Sequence, residues 1–496
     1  MTNQSFLFCD VAADGGLLPP IRHWVVDEAH GAEDEARRAF TLTLDSDEIL
    51  RLAQKVSDAG GTRNVFGRAE RKANPEGSQL TLFFALVSKA RACGNAFAEA
   101  ADEYTAHVKD LLYFDTSRKN KGYEGLDLWV NAEVRSSSAF KGLAEYVSVL
   151  AESADKLITA TQELVAFLEG VDEAAEVQRE IASVAMDLKS LRVAAEVFFE
   201  QAPESYVYQA SLVKKKDKRV DKLEALLLDV GAKMNETFFA STHSVVFASA
   251  TLSISGTFDA YESSMGLNQG EFSQADELQL DSSFDFDNNM IVYVVKDMPE
   301  PNDRNYIEAL KQLLVATHLA QGGSMLTLFT NRREMEQCYE GVKQPLQQED
   351  LRLICQKWGV SAKGLRDEFL ADETLSLFAL KSFWQGFDAP GATLKGVIIP
   401  KLPFARPTDP LYCERAYRDD RAWWRYVLPQ AVIETKQAAG RLIRKADDHG
   451  VLILADKRLL TKAYGKTFLR SLQSKTIRVC TIDEIVKSLE ALKNWK

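Results

Sequence analysis

Two neighbouring acids and a pair of arginines carry the chemistry this sequence offers. Asp27 and Glu28 lie in VVDEAH (25–30), directly after the start of an apolar run at Trp24, Val25 and Val26. Hydrolysis of a nucleoside triphosphate uses one carboxylate to hold the hydration shell of Mg2+ and another to orient or deprotonate the attacking water. Adjacent Asp and Glu can divide those tasks. The same residues also suit a structural role, with Asp27 capping the helix that AHGAEDEARR would form. In QAAGRLIR (437–444), Arg441 and Arg444 are three apart, and one continuous helix would project both from one face. Paired guanidiniums suit a polyphosphate and stabilise charge during phosphoryl transfer. The alternative is a solvated basic face with Asp447 and Asp448 as ion-pair partners.

Other segments carry weaker signals. SATLS (249–253) puts hydroxyls at a strand end, where a relay to a bound strand and an ordinary Ser/Thr turn are both open. In KSFWQGFDAPG (381–391), Gly386 and Gly391 permit tight turns, and Asp388 can accept bonds from a ribose or an arginine. Trp384 fits core packing better than base stacking. A loop of the form G-x-x-x-x-G-K-[ST], whose amides cradle phosphates, is not found in the sequence. The sole Gly-Lys-Thr, Gly465 to Thr467, has Leu460 where the first glycine belongs and falls in a helical pattern, so it reads as a decoy.

The elements that must position these residues follow from periodicity. Residues 1–44 read as α/β, with the acids at the carboxyl end of a short buried strand, where open sheets place ligands. From 45 to about 205 the pattern turns helical. The stretches 142–170 and 173–200 repeat apolar residues at i, i+3, i+4 and i+7, which predicts amphipathic helices in an antiparallel arm. YVYQASL (206–212), the basic VKKKDKR and an apolar segment ending LLLDV (226–230) predict a β-hairpin with a charged tip. Its cations Lys214, Lys215, Lys216, Lys218 and Arg219 read as a solvated turn. Near-continuous apolar runs at 290–295, 324–330, 374–380, 395–404 and 450–455 alternate with amphipathic helices, the pattern of a parallel sheet covered on both faces.

A chain of 496 residues predicts two to four domains. The net charge of −12 argues against a generally basic nucleic-acid coat, yet leaves room for a local basic groove. No apolar run approaches the ~20 residues of a membrane span, and the N-terminus lacks a basic leader, so a cytoplasmic location without membrane contact is expected. The six cysteines have no C-x-x-C spacing, which favours reduced, buried thiols over a disulfide frame, a zinc site or an iron–sulfur cluster.

VVDEAH, SATLS, SFWQGFDAPG and QAAGRLIR occur in that order, with KLPFARPTDPLY (401–412) between the last two. In order and spacing this set resembles the DinG branch of the XPD-like superfamily 2 DNA helicases, over almost the whole chain. The long gap between His30 and Ser249 resembles that family's helical arch insertion. The resemblance implies an α/β fold of two RecA-like motor domains, the first incomplete, with the arch inserted. Residues 1–44 and 236–266 would form the partial first domain, 45–235 the arch-like insertion ending in the hairpin, and 267–496 the second domain. It further implies ATP-driven 5′-to-3′ movement on single-stranded DNA, with Mg2+ and without an iron–sulfur cluster in this chain.

Residue by residue, Asp27 matches the acid that holds Mg2+ through water, and Glu28 the catalytic base. His30 would couple nucleotide to strand, and Ser249, Ala250 and Thr251 would link hydrolysis to movement. Gly386 and Asp388 match the nucleotide-sensing loop. Gln437, Arg441 and Arg444 match the last motif, the arginines as fingers on the triphosphate. Thr330, Asn331 and Arg332 are candidates for gripping the DNA strand. TNQSFLF (2–8) resembles the family's segment just upstream of the acidic box, which would place the phosphate loop before Met1. The expectation is a chain that is inactive alone and needs a complementary N-terminal fragment carrying that loop. Apolar sheet surface or an open strand edge would then be exposed. A non-hydrolysing module that binds single-stranded DNA or docks a partner is the alternative.

Overall fold

The protein is described from a computed structural model, which covers residues 1–73, 75, 77, 79–112, 125–169, 171, 174–215, 218–269, 275–357, 359–380, 383 and 393–492. Contacts divide the chain into two compact units. One comprises Met1–Arg22, Ala32–His243 and Arg406–Asp420; the other comprises His23–Gly31, Ser244–Ala405 and Arg421–Lys496. The strand-helix remnant expected to form part of a first motor domain is therefore shared between them.

The first unit is built on three long helices, Gln79–Leu112, Ser138–Leu168 and Ala175–Ala195. Their buried stripes come from the predicted spacing: Leu143, Val147, Leu150, Ala154 and Leu157 all face inward on the second helix. Ser137 caps that helix, its side chain accepting the Phe140 amide at 3.2 Å. The first helix closes tightly on Ser46–Val56 at Gly94, where a Cβ would stand 2.1 Å from the Val56 carbonyl oxygen. A four-stranded antiparallel sheet lies with them, in the order Leu42–Asp45, Lys218–Leu227, Tyr206–Lys215, Gly125–Trp129. The predicted hairpin is its centre. The basic side chains of the tip, Lys214, Lys215, Lys216, Lys218 and Arg219, lie outside the described residues.

The segment Arg406–Asp420 joins this unit through a cluster of charges. Its helix, Pro410–Arg418, begins at Asp409, which accepts the Tyr412 amide at 3.0 Å. Arg415 donates to Glu33 Oε1 at 3.2 Å and to the Leu228 carbonyl at 3.3 Å. Arg37 also pairs with Glu33 and donates to the Leu227 carbonyl. Burial on its own would raise the Glu33 carboxyl, but Arg37 and Arg415 more than offset it and hold the group below the usual carboxylate range.

The second unit contains a seven-stranded sheet in the order Ile477–Cys480, Met290–Val295, Gly450–Leu454, Gly396–Ile399, Met325–Leu328, Ser376–Ala379, Leu353–Cys355. All neighbours run parallel. Every residue of Met290–Val295, Met325–Leu328, Ser376–Ala379, Gly396–Ile399 and Gly450–Leu454 is buried, which is why those strands read as unbroken apolar runs. Helices Tyr306–Gln321, Arg332–Gln348, Leu428–Ala439 and Ile482–Leu492 belong to the same unit.

A separate two-stranded parallel sheet pairs His23–Asp27 with Ser244–Ala248. The first of these strands was expected to be buried. Only Val26 is; Val25 and Val246, paired in register, are 73% and 55% exposed. Two strands lack the width to carry covering layers on both faces, so one apolar face stays open.

Candidate active site

Parallel pairing places Asp27 beside Ala248, so both chains leave the small sheet at the same carboxyl end. The acidic box and SATLS thereby meet in space. Asp27 Oδ1 accepts the Glu28 amide at 2.9 Å. It does not cap the helix Ala32–Ala39, which starts only after a tight turn at Ala29–Gly31. Glu28 itself sits at φ +50°, a left-handed conformation that disfavours any side chain with a Cβ.

That backbone kink brings three motif residues together. Glu28 Oε2 lies 3.3 Å from His30 Nδ1, and the same nitrogen lies 3.0 Å from Ser249 Oγ. Ser249 Oγ donates to Glu28 Oε2 at 3.5 Å and accepts the Thr251 amide at 3.3 Å. Thr251 Oγ1 in turn accepts from Gln437 Nε2 at 3.5 Å. The links at 3.5 Å are long and weak beside the His30–Ser249 contact. The result is a path of polar contacts from the acidic box, through SATLS, to the start of the arginine motif. Ala250 is exposed in the middle of it and adds only its backbone.

The arginine motif departs from expectation. The helix ends at Ala439, with Gly440 as its cap, so Arg441 and Arg444 do not share a helical face. The amides of Arg441 and Leu442 tighten onto the Ala438 and Ala439 carbonyls at 3.3 and 3.2 Å. Beyond them Asp448, 8% exposed, accepts the Arg444 and Lys445 amides, each at 2.8 Å. It therefore holds a turn rather than pairing with a guanidinium. The turn has to feed the strand Gly450–Leu454, and Leu442 packs where a side chain at Gly450 would stand. Arg441, four residues after Gln437, is half-buried, while Arg444 is exposed.

Other candidates separate from this cluster. Asn331 caps the helix Arg332–Gln348, accepting the Arg333 and Glu334 amides at 2.9 and 3.3 Å. Arg332 donates to the Gln356 carbonyl at 3.0 Å, and Thr330 is exposed. Gly386, Asp388 and Trp384 lie outside the described residues. Gly465 opens the helix Gly465–Ser471, and a Cβ there would stand 1.9 Å from the Leu459 carbonyl oxygen; packing accounts for this glycine. Of the cysteines, Cys338 and Cys355 are buried, and burial pushes each thiol up to about 12. Cys9, by contrast, is exposed.

Sequence reasoning missed Lys436. The residue is 7% exposed, and its ammonium donates to the Ser253 carbonyl at 2.6 Å, directly after SATL. The signal was present: Glu434, Thr435, Lys436 and Gln437 are four consecutive polar residues, all buried, in a helix whose other residues are mostly apolar. Four successive positions cover the full turn of a helix, so they cannot all lie on one solvent face.

A hydrated Mg2+ fits the donor set, because an exposed carboxylate at an open sheet end can hold such an ion through its waters. Among the described residues, no group of three or more His, Cys, Asp or Glu side chains is arranged to grip a bare metal ion. Among the same residues, no helix is long and apolar enough to cross a membrane.

Comparison with known proteins bears on this arrangement. Residues 314–475 match the family model for the helicase C-terminal domain. The ATP-dependent DNA helicase YoaA of Escherichia coli K12 is 29% identical over 463 residues, covering 92% of this chain and 63% of that protein. The 3'-5' exonuclease DinG of Bacillus subtilis 168 is 26% identical, covering 98% and 52%. The chain is a homologue of the DinG/XPD-like helicases. The ATP-dependent helicase DinG of Mycobacterium tuberculosis H37Ra is 34% identical over 46% of the chain. The fold agrees: a solved XPD helicase superposes with a TM-score of 0.51 at 14% identity, covering 92% of this chain and 68% of that one. The chain thus has the XPD-like α/β helicase fold, while spanning 63% and 52% of the lengths of YoaA and the Bacillus DinG.

Proposed function

We propose that this chain is the motor part of an ATP-dependent helicase that moves 5′-to-3′ along single-stranded DNA in the cytoplasm. One observation carries the reading: the polar path Glu28–His30–Ser249–Thr251–Gln437 joins the acids to the arginine motif. In this reading Asp27 holds Mg2+ through water and Glu28 takes a proton from the attacking water. Arg441 and Arg444 meet the triphosphate from the other side. His30, Ser249 and Thr251 pass the state of the nucleotide to the DNA-binding surface. Gly386 and Asp388 read the nucleotide, and Thr330 and Arg332 touch the strand.

The small parallel sheet and its flanks would be the remnant of a first RecA-like domain, the seven-stranded sheet the second, and the helical unit the arch. The loop that cradles the phosphates is not among these 496 residues. Tight binding of ATP then requires it from elsewhere, on the same polypeptide or on a second one. The open face at Val25 and Val246 supports that requirement, since parallel sheets are covered on both sides.

The purified chain alone, given ATP, Mg2+ and single-stranded DNA, should hydrolyse no faster than its Glu28→Gln variant. DNA-stimulated turnover by the chain alone would overturn the need for an outside loop. A second reading, a module that binds single-stranded DNA without hydrolysis, is favoured by the same missing loop. It predicts strand binding but no turnover even after a loop-bearing segment is supplied.

A further inference from the structure

We infer that Lys436 and Ser471 form a latch that positions the turn after SATLS, and through it Ser249, His30 and Glu28. The inference rests on the hydrolysis reading above and adds residues to it. The turn is the two-residue link at Ser255 and Gly256, with φ of +52° and +89°, closed by reciprocal amide-to-carbonyl bonds between Ile254 and Thr257 at 2.9 and 3.1 Å. Three bonds fix it. Gln437 donates to Thr251 at 3.5 Å, Lys436 to the Ser253 carbonyl at 2.6 Å, and the Ser255 amide to Ser471 Oγ at 3.1 Å. Gln473 ties the latch to itself, donating to the Lys436 carbonyl at 3.2 Å.

The choice of lysine is the informative feature. A buried ammonium is expensive to desolvate, and here its acceptor is a single backbone carbonyl rather than a carboxylate. Burial, and then the charge of Lys475, pull the group down to about 8. A residue kept for packing alone would be methionine or leucine, which fill the same space without a charge. Lysine gives up stability to hold Ser253. The shortest and only charge-assisted bond of the three is therefore the one that sets where SATLS sits.

Hydrogen exchange on the full chain, combined with thermal melting, tests this. Lys436→Met should leave the melting temperature unchanged or raise it, while exchange of the Thr251, Ser255 and Thr257 amides rises about 10-fold. Amides of the strand Gly450–Leu454 should not change, and Lys436→Arg should restore most of the protection. Unchanged exchange at 251–257 in Lys436→Met would overturn the latch. If the strand amides also loosen, Ser471→Ala decides, with faster exchange at Ser255 expected and no change there overturning the inference. Turnover with a loop-bearing segment separates the two claims. A lower kcat with unchanged KM in Lys436→Met supports positioning, and an unchanged kcat overturns it. Absence of turnover in the wild-type chain sinks the hydrolysis reading, and the exchange result still decides the latch.

Discussion

At the scale of single residues, the charged groups separate into those that hold the fold and those that leave chemistry possible. Glu33 is held between Arg37 and Arg415, its side chain 26% exposed. Removing one partner from a wholly buried pair costs ~3–5 kcal/mol, and the partial exposure here lowers the expected loss for Arg415→Leu to about 2–3 kcal/mol in urea unfolding. Its pH dependence has a definite sign. The folded carboxyl sits below its ordinary 4.5, so its contribution is present above that value and is lost as pH falls through the folded one. Glu33→Gln should therefore flatten the acid limb of the unfolding profile, and an unchanged limb would show that the pair contributes nothing. Asp27, Glu28, His30 and Ser249 were all legible as types in the sequence. Lys436 was missed because no motif marks a lysine whose task is to hold a carbonyl, here that of Ser253; only the unbroken polar run 434–437 hinted at it.

At the scale of elements, periodicity located two of the three long helices, the hairpin and the buried strands of the seven-stranded sheet, because each has one chemical face or two and repeats it. It misplaced the end of the helix before Arg441. Leu442 and Ile443 continue the apolar pattern past Gly440, but they belong to a turn that must enter the neighbouring strand. Residues 42–44 were similarly assigned to the motor half; only the long-range pairing of Leu42–Asp45 with Lys218–Leu227 places them in the other sheet. Tight contact between elements gives a direct prediction. Gly94→Ala pushes a methyl into the Val56 carbonyl, and overpacking of this kind typically costs ~1–3 kcal/mol. A lower urea midpoint of the helical circular-dichroism signal is expected. No shift would mean that the helices Gln79–Leu112 and Ser46–Val56 part without penalty.

At the scale of the whole molecule, the composition gave the class and little more. A net charge of −12 gives no sign of nucleic-acid binding, and the order of four short motifs was more informative than any bulk property. In the proposed reading, the open face at Val25 and Val246 is where a loop-bearing segment would dock. Val25→Asp should weaken association with a loop-bearing segment at least 10-fold in a titration, an order-of-magnitude figure for placing a charge in an apolar interface. Equal affinity would show that the face is not where the segment docks. The most direct measurement of the central claim is ATP turnover by the chain supplied with that segment, with and without single-stranded DNA, in wild type and Glu28→Gln. The account predicts DNA-stimulated turnover that falls by roughly 100-fold or more in the variant, the usual scale of a lost general base, with DNA binding kept. Turnover in Glu28→Gln at the wild-type rate would contradict it.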